Sequence, residues 1–141
     1  MIIRTIRAFI AIIVMFLYFF GVPIITYTIA ARFFGMTPPV RLVMTDIYLV
    51  VIANLVMAAS FVIIYAMMVE GRRTSGMLYG MVLALLMFLA SALSNSVVSY
   101  AFYDLPYDYS RLVVIANAIA YMLAGLTISK LYTTPGPRVY A

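Results

Sequence analysis

The segment that decides the fold runs from residue 7 to residue 32 and reads RAFIAIIVMFLYFFGVPIITYTIAAR. No charged residue lies between its two terminal arginines, and a helix that spans a bilayer needs about 20 apolar residues. Three more uncharged segments follow at 47–69, 74–103 and 112–129. Soluble domains have about 25% charged residues, whereas this chain of 141 residues has 9%. The sequence therefore predicts an all-α fold, an integral membrane four-helix bundle.

The whole chain, residues 1–141, is predicted to form a single transmembrane domain. Its helices are expected at about 7–31, 47–69, 75–102 and 112–132, followed by a flexible tail at 133–141. The connections are short, which is typical of antiparallel neighbouring helices. Hydrophobic residues make up 67% of the chain, and we expect it to be a multi-pass protein of the cell membrane.

Basic residues predict the orientation of the bundle. One side is expected to carry Arg4, Arg7, Arg72, Arg73, Lys130 and Arg138, and the other side Arg32, Arg41 and Arg111. Because cytoplasmic loops carry an excess of Lys and Arg, the sequence predicts that both termini face the cytoplasm (N-in/C-in). The net charge of +5 comes from residues that flank hydrophobic segments, so lipid head groups are the expected partners and nucleic acid is not.

Several residue types that carry chemistry are missing. The chain has no cysteine and no histidine, which excludes thiol catalysis, thiolate or imidazole metal ligands and the commonest general base. Charged residues are absent from the central part of every predicted helix, whereas ion-coupled transporters usually keep such groups there. We therefore predict no enzymatic activity, no catalytic residue, no metal site and no cofactor.

Small residues recur at helical spacing on the third and fourth predicted helices. They are Gly76, Gly80, Ala84, Ala116, Ala120 and Ala124. Small residues four apart let helix backbones approach closely in lipid, where van der Waals packing replaces the hydrophobic effect. The preferred interpretation is packing within the bundle, and the alternative is docking of a partner subunit.

Polar residues fall at a similar predicted depth on all four helices. They are Thr26, Asn54, Asn95 and Asn117, and Ser91 lies on the same helix face as Asn95. A rise of 1.5 Å per residue places the three asparagines roughly 8–11 Å below the outer boundary. Unsatisfied polar groups are costly in hydrocarbon, so we expect at least two asparagines to be buried and hydrogen-bonded across helices, with the threonine nearby. They would act as contacts between helices, or line a pocket for a small neutral ligand, a quinone head group or water.

The leading hypothesis for function is a non-catalytic transmembrane subunit that packs against and stabilises a larger membrane protein complex, such as a respiratory or other energy-converting one. Its partners would be the lipid bilayer and other membrane subunits. The alternative is a small homo-oligomeric transporter or channel, or a lipid- or quinone-binding membrane protein, with a polar pocket in its outer half. A void enclosed by the asparagines would favour the alternative.

Overall fold

The structure, a computed structural model, describes residues 2–35, 44–69, 76–97 and 107–132. Its helices are α1 (Ile2–Phe34), α2 (Met44–Val69), α3 (Met77–Val97) and α4 (Tyr107–Leu131). Within α3, the segment Phe88–Leu93 is a π-helix. No strand occurs in these four ranges, which confirms the all-α prediction for them. Each helix is long and apolar enough to cross a membrane.

The helix ends differ from the predicted ones. Helix α4 begins at Tyr107 and includes Asp108 and Arg111. The helix dipole stabilises the Asp108 carboxylate in the first turn, and the Cζ atom of Arg111 lies 5.4 Å from the Tyr107 ring centroid. Helix α3 begins only after Gly76, whose backbone is extended. The predicted helical residues 98–102 and the tail 133–141 lie outside the described residues.

The helices form a ring in which neighbours are antiparallel. Helix α1 packs against α2 and α4, and α3 packs mainly against α4, while contact between α2 and α3 is the sparsest. In adjacent helices of the ring, residues near the end of one helix meet residues near the start of the other. Tyr27 of α1 and Tyr109 of α4 are an example, with stacked rings whose centroids are 5.9 Å apart. The starts of α1 and α3 and the ends of α2 and α4 therefore lie at one end of the bundle.

We call this end, which carries Arg7 and Lys130, the basic end. The ring of Tyr132, just beyond α4, lies 5.6 Å from the ring of Tyr65 near the end of α2. Burial raises the pKa of the Tyr132 phenol, and the nearby guanidinium of Arg7 opposes that rise. The basic end thus joins residues of α1, α2 and α4, as antiparallel packing requires. The chain termini and the predicted Arg72–Arg73 turn lie outside the described residues.

Aromatic rings fill the middle of the bundle. Phe19 of α1 lies 5.6 Å from Phe61 of α2 and 4.7 Å from Tyr121 of α4, between ring centroids. All three side chains are buried. The same cluster continues towards the basic end through Met15 and Tyr65, which are both fully buried. These contacts hold α1, α2 and α4 together in the middle of the bundle.

Helices α3 and α4 approach most closely at two glycines. A Cβ atom added to Gly125 would lie 2.6 Å from the carbonyl oxygen of Gly80 and 2.8 Å from the Cβ of Ala84. The small-residue positions Gly80, Ala84, Ala116, Ala120 and Ala124 are all buried. Gly76 lies before the helix, and a Cβ there would meet only its own neighbours Tyr79 and Leu78. The stripe therefore begins one turn later than its sequence spacing suggests.

A hydrogen bond between Tyr18 and Thr127 links α1 to α4, with the two hydroxyl oxygens 3.1 Å apart. We expect Thr127→Val to lower the free energy of unfolding by about 0.6 kcal/mol, the average for such bonds in membranes. Thr28→Val is the matched control, because the exposed Thr28 hydroxyl bonds to Ile24 of its own helix and to no other helix among the described residues. Unfolding in detergent–SDS mixtures measures both, and a double-mutant cycle with Tyr18→Phe gives the coupling. Equal losses for the two threonine variants would contradict the link.

Candidate functional site

A polar cavity of about 500 Å³ lies between the helices, in the half of the bundle away from the basic end. Binding pockets for small ligands usually measure about 300–1,000 Å³. All four helices contribute to the lining, including the predicted residues Asn54, Ser91, Asn95 and Asn117. The cavity is therefore large enough to hold a small organic molecule.

The three asparagines come from three different helices and meet at this cavity. Asn54 and Asn117 lie about 15 Å along the helix axis from the starts of α2 and α4, since each residue adds 1.5 Å. Each lies further from the start of its helix than predicted, because both helices begin earlier than predicted. Polar groups thus reach well into the apolar part of the bundle.

The asparagines do not form the hydrogen bonds across helices that the sequence suggested. The Asn54 side chain donates to the carbonyl of Val50 in its own helix, at 2.8 Å. Asn95 and Asn117 make no side-chain hydrogen bond to any other residue that the structure describes. Thr26 donates to Val22 of its own helix and does not line the cavity, whereas its neighbour Tyr27 does. Within the described part of the chain, the carboxamides of Asn95 and Asn117 are therefore available to a ligand.

The π-helical segment determines which residues of α3 enter the cavity. Each π-type hydrogen bond spans one more residue than an α-type bond. Beyond the segment, the residue that faces the bundle is therefore about one position later in the chain than α-helical spacing predicts. As a result Ser96 is buried, with 8% of its surface exposed, while Asn95 is exposed. Both still line the cavity. Asn95 thus lies at its edge rather than, as predicted, on the buried face of the helix.

Ser91 connects α3 to α4 inside the cavity. Its hydroxyl donates to the carbonyl of Met87 at 2.7 Å and lies 2.8 Å from the hydroxyl of Tyr121. Because the only proton of the serine hydroxyl is already used, Tyr121 is the donor in this second bond. The Tyr121 ring also contacts Phe88, with centroids 6.1 Å apart. This bond fixes one wall of the cavity across two helices.

One hydroxyl in the lining is left without a partner. The side-chain oxygen of Ser110 is buried and makes no hydrogen bond to any residue that the structure describes, although burial of an unpaired polar group costs about 1–3 kcal/mol. It follows Tyr109, whose ring stacks on Tyr27 at the end of the cavity. A ligand or water that bonded to Ser110 would remove this cost.

Among the residues that the structure describes, no charged side chain lines the cavity. Asparagine amides can donate and accept hydrogen bonds, and serine and tyrosine hydroxyls can do the same. Aromatic rings of Phe19, Tyr27, Tyr109 and Tyr121 supply flat apolar surface beside them. The arrangement suits a neutral molecule that has hydrogen-bonding groups and a planar part, since an ion would be desolvated here without a counter-charge.

The sequence prediction named Asn117 among the lining residues of α4 but missed Ser110 and Tyr121. Ser110, Asn117 and Tyr121 recur at intervals of seven and four residues, which places them on one helix face. That polar stripe is visible in the sequence beside the alanine stripe. The π-helical segment, in contrast, has no comparable signal, so the burial of Ser96 could not be predicted.

Comparison with protein-family models, with curated proteins and with solved structures gives no match for this chain. The cavity and the surface of the bundle are therefore the features that bear on its function.

Proposed function

We propose that this chain is a multi-pass membrane protein that lies N-in/C-in, with the basic end in the cytoplasm. Its outer surface supports insertion, because large apolar side chains such as Phe9, Leu17, Ile25 and Leu85 are exposed, and soluble proteins rarely expose apolar patches of this size. The orientation follows from the excess of basic residues near one end. A cysteine introduced at Lys130 should react with a membrane-impermeant thiol reagent only after the cells are opened. Labelling of this cysteine in intact cells would show the opposite orientation.

Within the membrane, we propose that the protein binds a small neutral ligand in the polar cavity, as a carrier, channel or binding protein. One observation carries this proposal: asparagines from three helices line one cavity, and the amides of Asn95 and Asn117 are free of bonds to the described residues. Contacts that only joined helices would use these amides within the protein. A carbonyl-bearing ring, as in a quinone, matches the amide donors and the aromatic lining.

Fluorescence offers a direct test because the chain has no tryptophan. The variant Tyr27→Trp places one reporter in the cavity lining, and quinones quench tryptophan. We expect saturable quenching by duroquinone, a neutral ring without a tail, and none by a sulfonated quinone. Asn117→Leu in the reporter background should weaken duroquinone binding by about tenfold, the equivalent of one hydrogen bond of about 1.4 kcal/mol.

Thr28→Val serves as the control in the same background, because Thr28 is exposed and lies outside the cavity lining. It should leave duroquinone binding unchanged. The proposal fails if duroquinone does not bind saturably, or if Asn117→Leu and Thr28→Val have the same effect.

A second candidate is the non-catalytic subunit of a larger membrane complex, respiratory or of another energy-converting kind. An apolar groove of about 390 Å³ runs along α3 and α4, lined by residues that include Met81, Leu85, Ala118 and Met122. A transmembrane helix of a partner would fit such a groove by van der Waals packing. Mass spectrometry of the protein purified in its native membrane tests this role, and a preparation free of other chains would exclude it.

A further inference from the structure

The cavity is open on one side, between α2 and α3. These two helices make the sparsest contact of the neighbouring pairs, and α2 hardly touches the π-helical segment Phe88–Leu93. Two lining residues, Ala53 of α2 and Asn95 of α3, are also exposed on the surface of the described bundle. The polar interior is therefore continuous with the outside at the gap between these helices, which we call the lateral opening.

Apolar side chains of α2 border the lateral opening. Val50, Ile52 and Val56 lie next to Ala53 along α2 and are all exposed. In a membrane, such a surface faces hydrocarbon chains rather than water. A molecule that enters by this route must therefore be soluble in the bilayer.

We infer that the ligand is a neutral amphiphile that enters the cavity sideways from the bilayer, between α2 and α3. This inference rests on the proposed binding function and adds the class of ligand and its route. The head group occupies the cavity, where Asn54, Asn117 and Ser110 offer hydrogen bonds and aromatic rings offer flat surface. The alkyl tail lies in the lateral opening against lipid. A neutral head group fits better than a charged one, because the described lining residues offer no counter-charge.

The test compares two quinones in nanodiscs, with Tyr27→Trp as the reporter. Decylubiquinone has an alkyl tail and duroquinone has none. Ala53→Phe narrows the lateral opening, and we expect it to weaken decylubiquinone binding about tenfold more than it weakens duroquinone binding. Leu55→Phe is the control, because Leu55 is exposed on α2 and does not line the cavity. It should change neither affinity.

Three results would overturn the inference. If Ala53→Phe weakens the binding of both quinones equally, the phenyl group fills the cavity itself and the alkyl tail does not occupy the lateral opening. If it weakens neither, ligands do not pass Ala53. If native mass spectrometry shows a dimer and decylubiquinone does not bind although duroquinone does, a second copy covers the opening. Each of these leaves ligand binding itself intact, whereas failure of both quinones to bind the reporter variant removes the binding function as well.

Discussion

Replacing Gly125 with alanine is expected to lower the free energy of unfolding by about 3 kcal/mol, the upper part of the range for overpacked interiors. The added methyl would lie 2.6 Å from the Gly80 carbonyl oxygen and 2.8 Å from the Ala84 Cβ. Real Cβ atoms essentially never approach other atoms this closely. Because one of the obstacles is backbone, no side-chain rotation relieves the clash, and α3 must move away from α4. Reversible unfolding in detergent–SDS mixtures measures the loss.

Gly21→Ala is the matched control for this substitution. Gly21 lies inside α1, and a Cβ there would meet nothing within 4 Å. Alanine favours helices over glycine by about 1 kcal/mol, so this variant should be as stable as the parent or more stable. The same chemical change thus has opposite expected signs at the two sites. If Gly125→Ala is no less stable than Gly21→Ala, the two helices do not approach at Gly125 as closely as the structure shows.

The number and type of helices could be predicted from the sequence because membrane-spanning length and apolar composition are properties of contiguous residues. Helix ends could not be placed from charge alone. The rule that a helix stops at the first charged residue excludes Asp108 and Arg111, yet both belong to α4. A charge in a terminal turn reaches the polar boundary of a membrane at little cost, so it does not end the helix.

Close packing of α3 on α4 could also be predicted, because only small residues permit it. Gly80 and Ala84 of the predicted stripe lie at the contact. Gly76 was included for its spacing, but spacing says nothing about whether a residue is helical. Its extended backbone depends on the connection that precedes it, and spacing rules do not describe that connection.

The candidate site was only partly predictable. Equal depth brought Asn54, Asn95 and Asn117 to one cavity, since depth follows from chain position. The hydrogen bonds of the asparagines could not be predicted from depth, because a carboxamide can bond to a carbonyl of its own helix, as Asn54 does. Side-chain direction beyond the π-helical segment could not be predicted from helical spacing either. The extra residue in the π-helical turn places Ser96, instead of Asn95, on the buried face.

Tyr121 is expected to contribute more to stability than any other residue that lines the cavity. Its ring lies within 6.3 Å of the rings of Phe19, Phe61 and Phe88, between centroids. Only 4% of its surface is exposed, and its hydroxyl donates to Ser91. It therefore connects side chains of all four helices. Removing the ring leaves a void that close neighbours on other helices cannot fill without moving.

Tyr121→Ala should lower the free energy of unfolding by about 3 kcal/mol, the lower end of the range of about 3–5 kcal/mol for large aromatic truncations. The lower end applies because a helix that separates within lipid regains apolar neighbours, so packing is lost but little hydrophobic transfer energy. Tyr121→Phe keeps the ring and removes only the bond to Ser91, which is expected to cost about 0.6–1.7 kcal/mol. The difference between the two variants measures the packing of the ring. Unfolding in detergent–SDS mixtures gives both values.

Tyr48→Ala is the control for loss of an aromatic ring as such, because Tyr48 is 69% exposed and lies outside the cavity lining. It should change stability by less than about 0.5 kcal/mol, as surface substitutions usually do. The aromatic core would be contradicted if Tyr121→Ala cost no more than Tyr48→Ala. If Tyr121→Phe cost as much as Tyr121→Ala, the hydroxyl rather than the ring would hold α3 and α4 together, and the cavity wall would depend on a single hydrogen bond.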